Sequence, residues 1–171
     1  MVISFENRTV HGVIEQLAAD RGDKPFLSFK DQTFSYSELN DEAGKVAAGL
    51  QGLGIVKNDK VAIMMSNRPE FLFSWFGTSK VGAVEVPVNT AHKGALLSYM
   101  INMSDSVVLI LEADFVDQIR EILPDLRKLK HIILLGDDEL SDDRMVSFGD
   151  FMDNDRDYRP CHILPSDPCA M

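Results

Sequence analysis

Val107-Val108-Leu109-Ile110-Leu111 is apolar without interruption, and this run decides the fold. A strand with one face in water alternates apolar and polar side chains. A strand covered on both faces does not, and such covering belongs to parallel sheets, whose crossover helices lie on either side. Downstream, His131-Ile132-Ile133-Leu134-Leu135 ahead of Gly136 reads the same way. Upstream, so does Val61-Ala62-Ile63-Met64-Met65 after Asn58-Asp59, and Val84 to Val88 is another strand, where Pro87 marks the end of pairing. Between these runs the apolar spacing changes to three and four, the period of a helix face. Leu96, Leu97, Met100 and Ile101 form one such face, and Phe115, Val116, Ile119, Ile122 and Leu123 another. Phe71, Leu72, Phe73, Trp75, Phe76 and Val81 cover most of a helix circumference, which predicts a buried helix ended by Gly82. Strand and helix alternate, so the fold class is α/β, a parallel β-sheet with helices on both faces.

Further toward the N-terminus, Ser35-x-x-Glu38 is a capping box. Leu39, Ala43, Val46, Leu50 and Leu53 follow on one helical face, and Gly54 stands where a left-handed residue closes the helix. Asn67-x-x-Glu70 is expected to cap the next helix, with Pro69 in its first turn. Pro25 opens Phe26-Leu27-Ser28-Phe29, and Asp31-Gln32 turns it into Thr33-Phe34-Ser35-Tyr36, an N-terminal hairpin. Thr9 precedes Val10, Val13, Ile14, Leu17 and Ala18, a helix running to Arg21-Gly22. The core is thus expected over 9–136. Residues 137–159 carry nine Asp and Glu against three Arg and read as a solvated, partly helical excursion. Pro160, Pro165 and Pro168 make 160–171 an extended tail.

The balance of 27 Asp and Glu against 17 Lys and Arg gives a formal net charge of −10. Phosphates repel such a surface, so nucleic acid and anionic membrane are not expected partners. No apolar run approaches the ~20 residues that span a bilayer. The short apolar start of Met1 to Arg8 does not look like a secretory leader, and a cytoplasmic location is expected. Cys161 and Cys169 are expected to be free thiols, and the scattered histidines suggest no metal site. Gly52-Leu53-Gly54 follows a helix instead of a strand, which suits helix termination and not dinucleotide binding. Glu85 stands out inside an apolar strand, where a carboxylate must face solvent at an edge or find a partner.

Taken in order, several motifs resemble the start of the adenylate-forming (AMP-binding) enzymes. They are Phe34-Ser35-Tyr36-Ser37-Glu38-Leu39, Leu53-Gly54-Ile55, Asp59-Lys60-Val61-Ala62-Ile63, Asn67-Arg68-Pro69-Glu70-Phe71 and Lys80-Val81-Gly82-Ala83-Val84-Glu85-Val86-Pro87-Val88-Asn89. Pro165-Ser166-Asp167-Pro168-Cys169-Ala170-Met171 resembles the lead-in to that family's phosphate-binding loop. The stretch from Val84 to Ile110 is most similar to acyl-CoA synthetases of the bacterial medium-chain or crotonobetaine/carnitine type. The resemblance spans about Thr9 to Met171 and implies the first subdomain of such an enzyme. It implies ATP, Mg²⁺ and coenzyme A as cofactors of the parent, and a carboxylic acid as substrate. It also implies that the phosphate loop, the acyl pocket and the C-terminal domain lie beyond Met171. No catalytic residue is then assigned here, and the chain alone is expected to be inactive.

In CoA-forming relatives the residues after the strand-ending Pro-x-Asn face the nucleotide end of coenzyme A. The resemblance therefore points to Asn89, Thr90, Ala91, His92 and Lys93. Some relatives have an arginine where Ala91 stands, a departure that Lys93 would have to cover. Two alternatives stay open: a non-catalytic α/β binding module, and an adenylating enzyme that does not use coenzyme A. The rest of the AMP-binding domain is the expected partner. An exposed apolar docking face is expected to permit self-association.

Overall fold

The computed structural model describes residues 4–5, 8–137, 140, 142–154 and 157–171. Parts of the N-terminal stretch 1–8 and of the acidic stretch 137–159 therefore lie outside the described residues. Helix α1 (Val10–Arg21) starts on Thr9, whose hydroxyl accepts from the Gly12 amide. Strands β1 (Pro25–Phe29) and β2 (Gln32–Ser35) form the antiparallel hairpin. Helix α2 (Tyr36–Gly52) opens on the full capping box of Ser35 and Glu38 and closes through Leu53 and Gly54, the latter at φ +78.

A five-stranded parallel sheet follows, of β3 (Lys60–Met64), β4 (Val84–Pro87), β5 (Val108–Glu112), β6 (His131–Leu135) and β7 (Met145–Ser147). The strands lie side by side as β4-β3-β5-β6-β7, all parallel. Helix α3 (Pro69–Lys80) joins β3 to β4, and α4 (Gly94–Met103) joins β4 to β5. A 3-10 turn (Ala113–Phe115) and α5 (Val116–Ile122) join β5 to β6, and α6 (Phe148–Met152) follows β7.

Alternate side chains of each strand point to opposite faces, so the sheet feeds two cores. Val61, Ile63, Val108, Ile110 and Ile133 pack beneath α1, α2, α3 and α6. Ala62, Met64, Leu109, Leu111, Ile132 and Leu134 pack against α4 and α5. Helices thus cover both faces, as the uninterrupted apolar strands require. Helix α3 lies close on α2 because Gly77 has no side chain; a Cβ there would come within 2.5 Å of Val46.

Three local expectations change. Helix α3 begins one residue later than expected, with Arg68 and not Asn67 at its N-cap, and no side chain caps it. Pro69 at the first position offers no N–H, and the Arg68 side chain is engaged elsewhere. Within the acidic stretch, Met145–Ser147 pairs with β6 and Phe148 and Phe151 are buried, so the sheet continues beyond position 136. On α4 only Leu97 and Ile101 face the core, while Leu96, Tyr99, Met100 and Met103 are exposed.

Candidate functional site

In an open parallel sheet, ligands gather outside the carboxyl ends of the strands, where neighbouring connections leave in opposite directions. Here β3 feeds α3 and runs to β4 on one side, whereas β5 leads through α5 to β6 on the other. The crevice lies between the ends of β3 and β5, and Glu112 fills it. The Ser66 amide and hydroxyl both donate to Glu112 Oε2 at 2.7 Å, and Arg68 Nη1 donates to Oε1 at 2.7 Å. The remaining guanidinium edge forks onto Glu70, with Nε to Oε2 at 2.9 Å and Nη2 to Oε1 at 3.2 Å. Burial pushes the Glu112 carboxyl up, but the Ser66 donors and Arg68 outweigh it and hold the group below its ordinary value. This network closes the crevice with satisfied polar groups. Sequence reasoning missed it, because Ser66 and Arg68 lie more than forty residues from Glu112 in the chain.

The sequence-predicted stretch lies one strand over, beyond β4. Asn89, Thr90, Ala91, His92 and Lys93 form a single turn leading into α4. Asn89 Oδ1 accepts from the Ala91 amide at 2.9 Å, and the His92 amide donates to the Asn89 carbonyl at 3.0 Å. Oriented as the surrounding acceptors require, the Gln118 amide of α5 donates to the His92 carbonyl at 2.8 Å and to the Thr90 carbonyl at 3.2 Å. The turn is therefore built from its own backbone and braced by α5. The Asn89 side chain is spent on local geometry. Lys93 is exposed, with no ion pair among the described residues, and stands at the N-cap of α4. No side chain caps that helix, and a Cβ on Gly94, at φ +52, would meet nothing within 4 Å. Uncapped amides, an open approach and one lysine suit a phosphate group. Among the described residues no cluster of His, Cys, Asp and Glu fits a metal ion.

Glu85 is buried at 3% exposure on β4, and its carboxyl, pushed up to about 7 by burial, has no hydrogen-bond partner or ion pair among the described residues. Its backbone serves the chain's last residues: the Glu85 amide donates to Cys169 O at 3.0 Å and Met171 N donates to Glu85 O at 2.9 Å. Ala170 thereby bridges Glu85 in parallel at the outer edge of β4. Cys161 and Cys169 are free thiols. Among the described residues no helix is long and apolar enough to cross a membrane.

Residues 14–171 match the family model described as AMP-binding enzyme. The crotonobetaine/carnitine–CoA ligase of Salmonella paratyphi B is 37% identical over 140 residues, covering 78% of this chain and 27% of that protein. Among solved structures, the anthranilate CoA ligase AuaEII in complex with anthranoyl-AMP superposes with a TM-score of 0.87 at 25% identity, over 95% of this chain and 31% of that one. The N-terminal domain of FACL13 from Mycobacterium tuberculosis superposes with a TM-score of 0.81 at 25% identity, over 95% of this chain and 40% of that one. The chain spans about a quarter of the length of the curated relatives it matches.

Proposed function

Because the chain belongs to the AMP-binding enzyme family, we propose that it forms the first part of an ATP-dependent carboxylic acid:CoA ligase. The 37% identity to a crotonobetaine/carnitine–CoA ligase over 140 residues carries this reading. Such an enzyme activates a carboxylate with ATP and Mg²⁺, giving an acyl-adenylate and pyrophosphate, and then forms a thioester with coenzyme A. The chemistry is one of positioning and of neutralising phosphate charge. Among the described residues no group of three or more His, Cys, Asp or Glu is placed to hold a metal ion, and we assign no catalytic residue to them. The chain's own contribution is the scaffold and one edge for coenzyme A.

That edge is Asn89 to Lys93. Asn89 and Gln118 hold the turn rigid, while Lys93 and the uncapped first turn of α4 present positive charge to a phosphate of the nucleotide end. Thr90, Ala91 and His92 supply backbone shape more than charge. In the parent enzyme Lys93→Glu is expected to raise the KM for coenzyme A about tenfold, with ATP–pyrophosphate exchange intact. An unchanged KM removes the coenzyme A contact from the proposal. A parent that forms no acyl-adenylate from any carboxylic acid refutes the ligase reading itself, and one that forms the adenylate but no thioester refutes its second half.

The same reading makes the 171-residue chain inactive in ATP–pyrophosphate exchange and places the parent in the cytoplasm. Measurable exchange by the purified chain would show that the site lies within it. Leu96, Tyr99, Met100 and Met103, exposed at 52, 58, 42 and 60%, form the apolar stripe of α4 that favours self-association. Sedimentation showing only monomer at high concentration would rule that out.

A further inference from the structure

We propose that Lys80 is a positioning residue: together with Glu15, its ammonium fixes Tyr158 and thereby sets the path of residues 158–171 to the open edge of β4. This deepens the ligase reading, on which that segment leads toward the phosphate-binding part of the enzyme.

Lys80 ends α3 with its side chain only 1% exposed. A buried ammonium survives only where its donors are met. Here Nζ donates to Glu15 Oε1 at 2.6 Å and to Asn40 Oδ1 at 2.9 Å. It reaches the Tyr158 oxygen at 3.5 Å and lies 4.9 Å from the centre of that ring. The Tyr158 hydroxyl in turn donates to the same Glu15 Oε1 at 2.6 Å. Three helices and the returning segment therefore meet at one nitrogen: α1 through Glu15, α2 through Asn40, α3 through Lys80 itself. Helix α1 adds a second tie beside it, where His11 Nδ1 lies 3.2 Å from Ser79 Oγ.

Past Tyr158 the segment is routed by polar contacts. Gln51 grips Arg159, accepting from its amide and donating to its carbonyl, each at 2.8 Å. Lys57 Nζ holds the His162 carbonyl at 3.0 Å and Asp167 at 2.5 Å. The path ends on the Ala170–Glu85 bridge. Lys57 is about one-third exposed, where water and salt screen its pull, while the Lys80 ammonium is sealed and meets solvent only through the exposed side of its partner Glu15. Tyr158 also packs on the core beneath α1–α3, so the staple is the point where the segment is joined to the body of the protein.

Hydrogen exchange on the 171-residue chain tests this, comparing the unaltered protein with Lys80→Met and Tyr158→Phe. The amides of Arg159, Glu85 and Met171 are expected to exchange about tenfold to a hundredfold faster in both variants, while Leu109 and Ile133 at the sheet centre keep their protection. Unchanged exchange at Glu85 and Met171, or a uniform loss over the whole sheet, would overturn the proposal. Should Lys80→Met fail to fold, Lys80→Gln, which keeps a donor without the charge, decides the lysine's role, and Tyr158→Phe decides that of the hydroxyl that meets Glu15 at 2.6 Å. In the parent enzyme Tyr158→Phe is expected to lower kcat for adenylate formation about tenfold, with KM for the acid unchanged. An unchanged kcat would sever the segment's path from the reaction. An unaltered parent that makes no adenylate refutes the ligase reading, and the exchange pattern still decides the role of Lys80.

Discussion

Replacing Glu85 by glutamine isolates the cost of one buried carboxylate. In register with Val61, the Glu85 side chain shares the face of β4 that looks toward α1–α3, and it is 3% exposed. Burial alone raises its pKa from 4.5 to about 7, with no charged group acting on it. Between those values the folded chain keeps a proton that the unfolded chain has lost. Stability is therefore full below about pH 4.5, falls as pH rises, and levels off above about pH 7. At about 1.4 kcal/mol per pH unit the window amounts to about 3 kcal/mol, and screening at an edge strand reduces this to about 2 kcal/mol. Glutamine has the shape of the protonated acid and cannot ionise. Urea unfolding at pH 5 and pH 8 should show Glu85→Gln close to the unaltered chain at the lower pH and about 2 kcal/mol more stable at the higher. Other titrating groups cancel in this difference. Equal stability of the two proteins at pH 8 would refute the burial of an unpartnered carboxyl.

Three further substitutions probe the scaffold. Gly77→Ala puts a methyl 2.5 Å from Val46 and 2.8 Å from the Ala43 carbonyl, and since that oxygen is backbone the change should cost about 1–3 kcal/mol in urea unfolding. Ser35→Ala removes the oxygen that accepts from the Glu38 amide at 3.2 Å and should cost about 1 kcal/mol, read as a lower melting temperature. Glu112→Gln weakens the bridge between β3 and β5 by about 1–3 kcal/mol near neutral pH. Because the Glu112 pKa is held down, its contribution is present above the unfolded value and lost as pH falls through the folded one, so the gap between variant and unaltered chain should shrink on acidification below about pH 4.5.

Features set within a few residues were legible in the amino-acid order. The capping box at Ser35 and Glu38, the left-handed Gly54 and Gly82, and the uninterrupted Leu109-Ile110-Leu111 all stand where local geometry puts them. Strand β7 was not legible because three residues show no periodicity, and acidic neighbours masked the two phenylalanines behind it. The exposed α4 stripe was hidden for the opposite reason: Leu96 and Met100 fit the helical period as well as Leu97 and Ile101, and only packing tells the two faces apart. The turn of Asn89 to Lys93 was readable as a stretch through its family likeness. Its brace, Gln118, was not, being more than twenty residues away on another helix.

What the sequence by itself determined is the alternation of buried strands and helices, hence an α/β sheet covered on both faces, and the likeness to adenylate-forming enzymes. Apolar period and cap chemistry act over one or two turns, so they are written locally. The strand order β4-β3-β5-β6-β7 was decided only in three dimensions, and with it the meeting of Ser66, Arg68 and Glu112 at one crevice. The same holds for Lys80, which the sequence shows as one lysine of a family motif. Burial at the junction of three helices makes it the anchor of a segment that begins seventy-eight residues later, because a sealed ammonium must find its partners wherever the fold brings them.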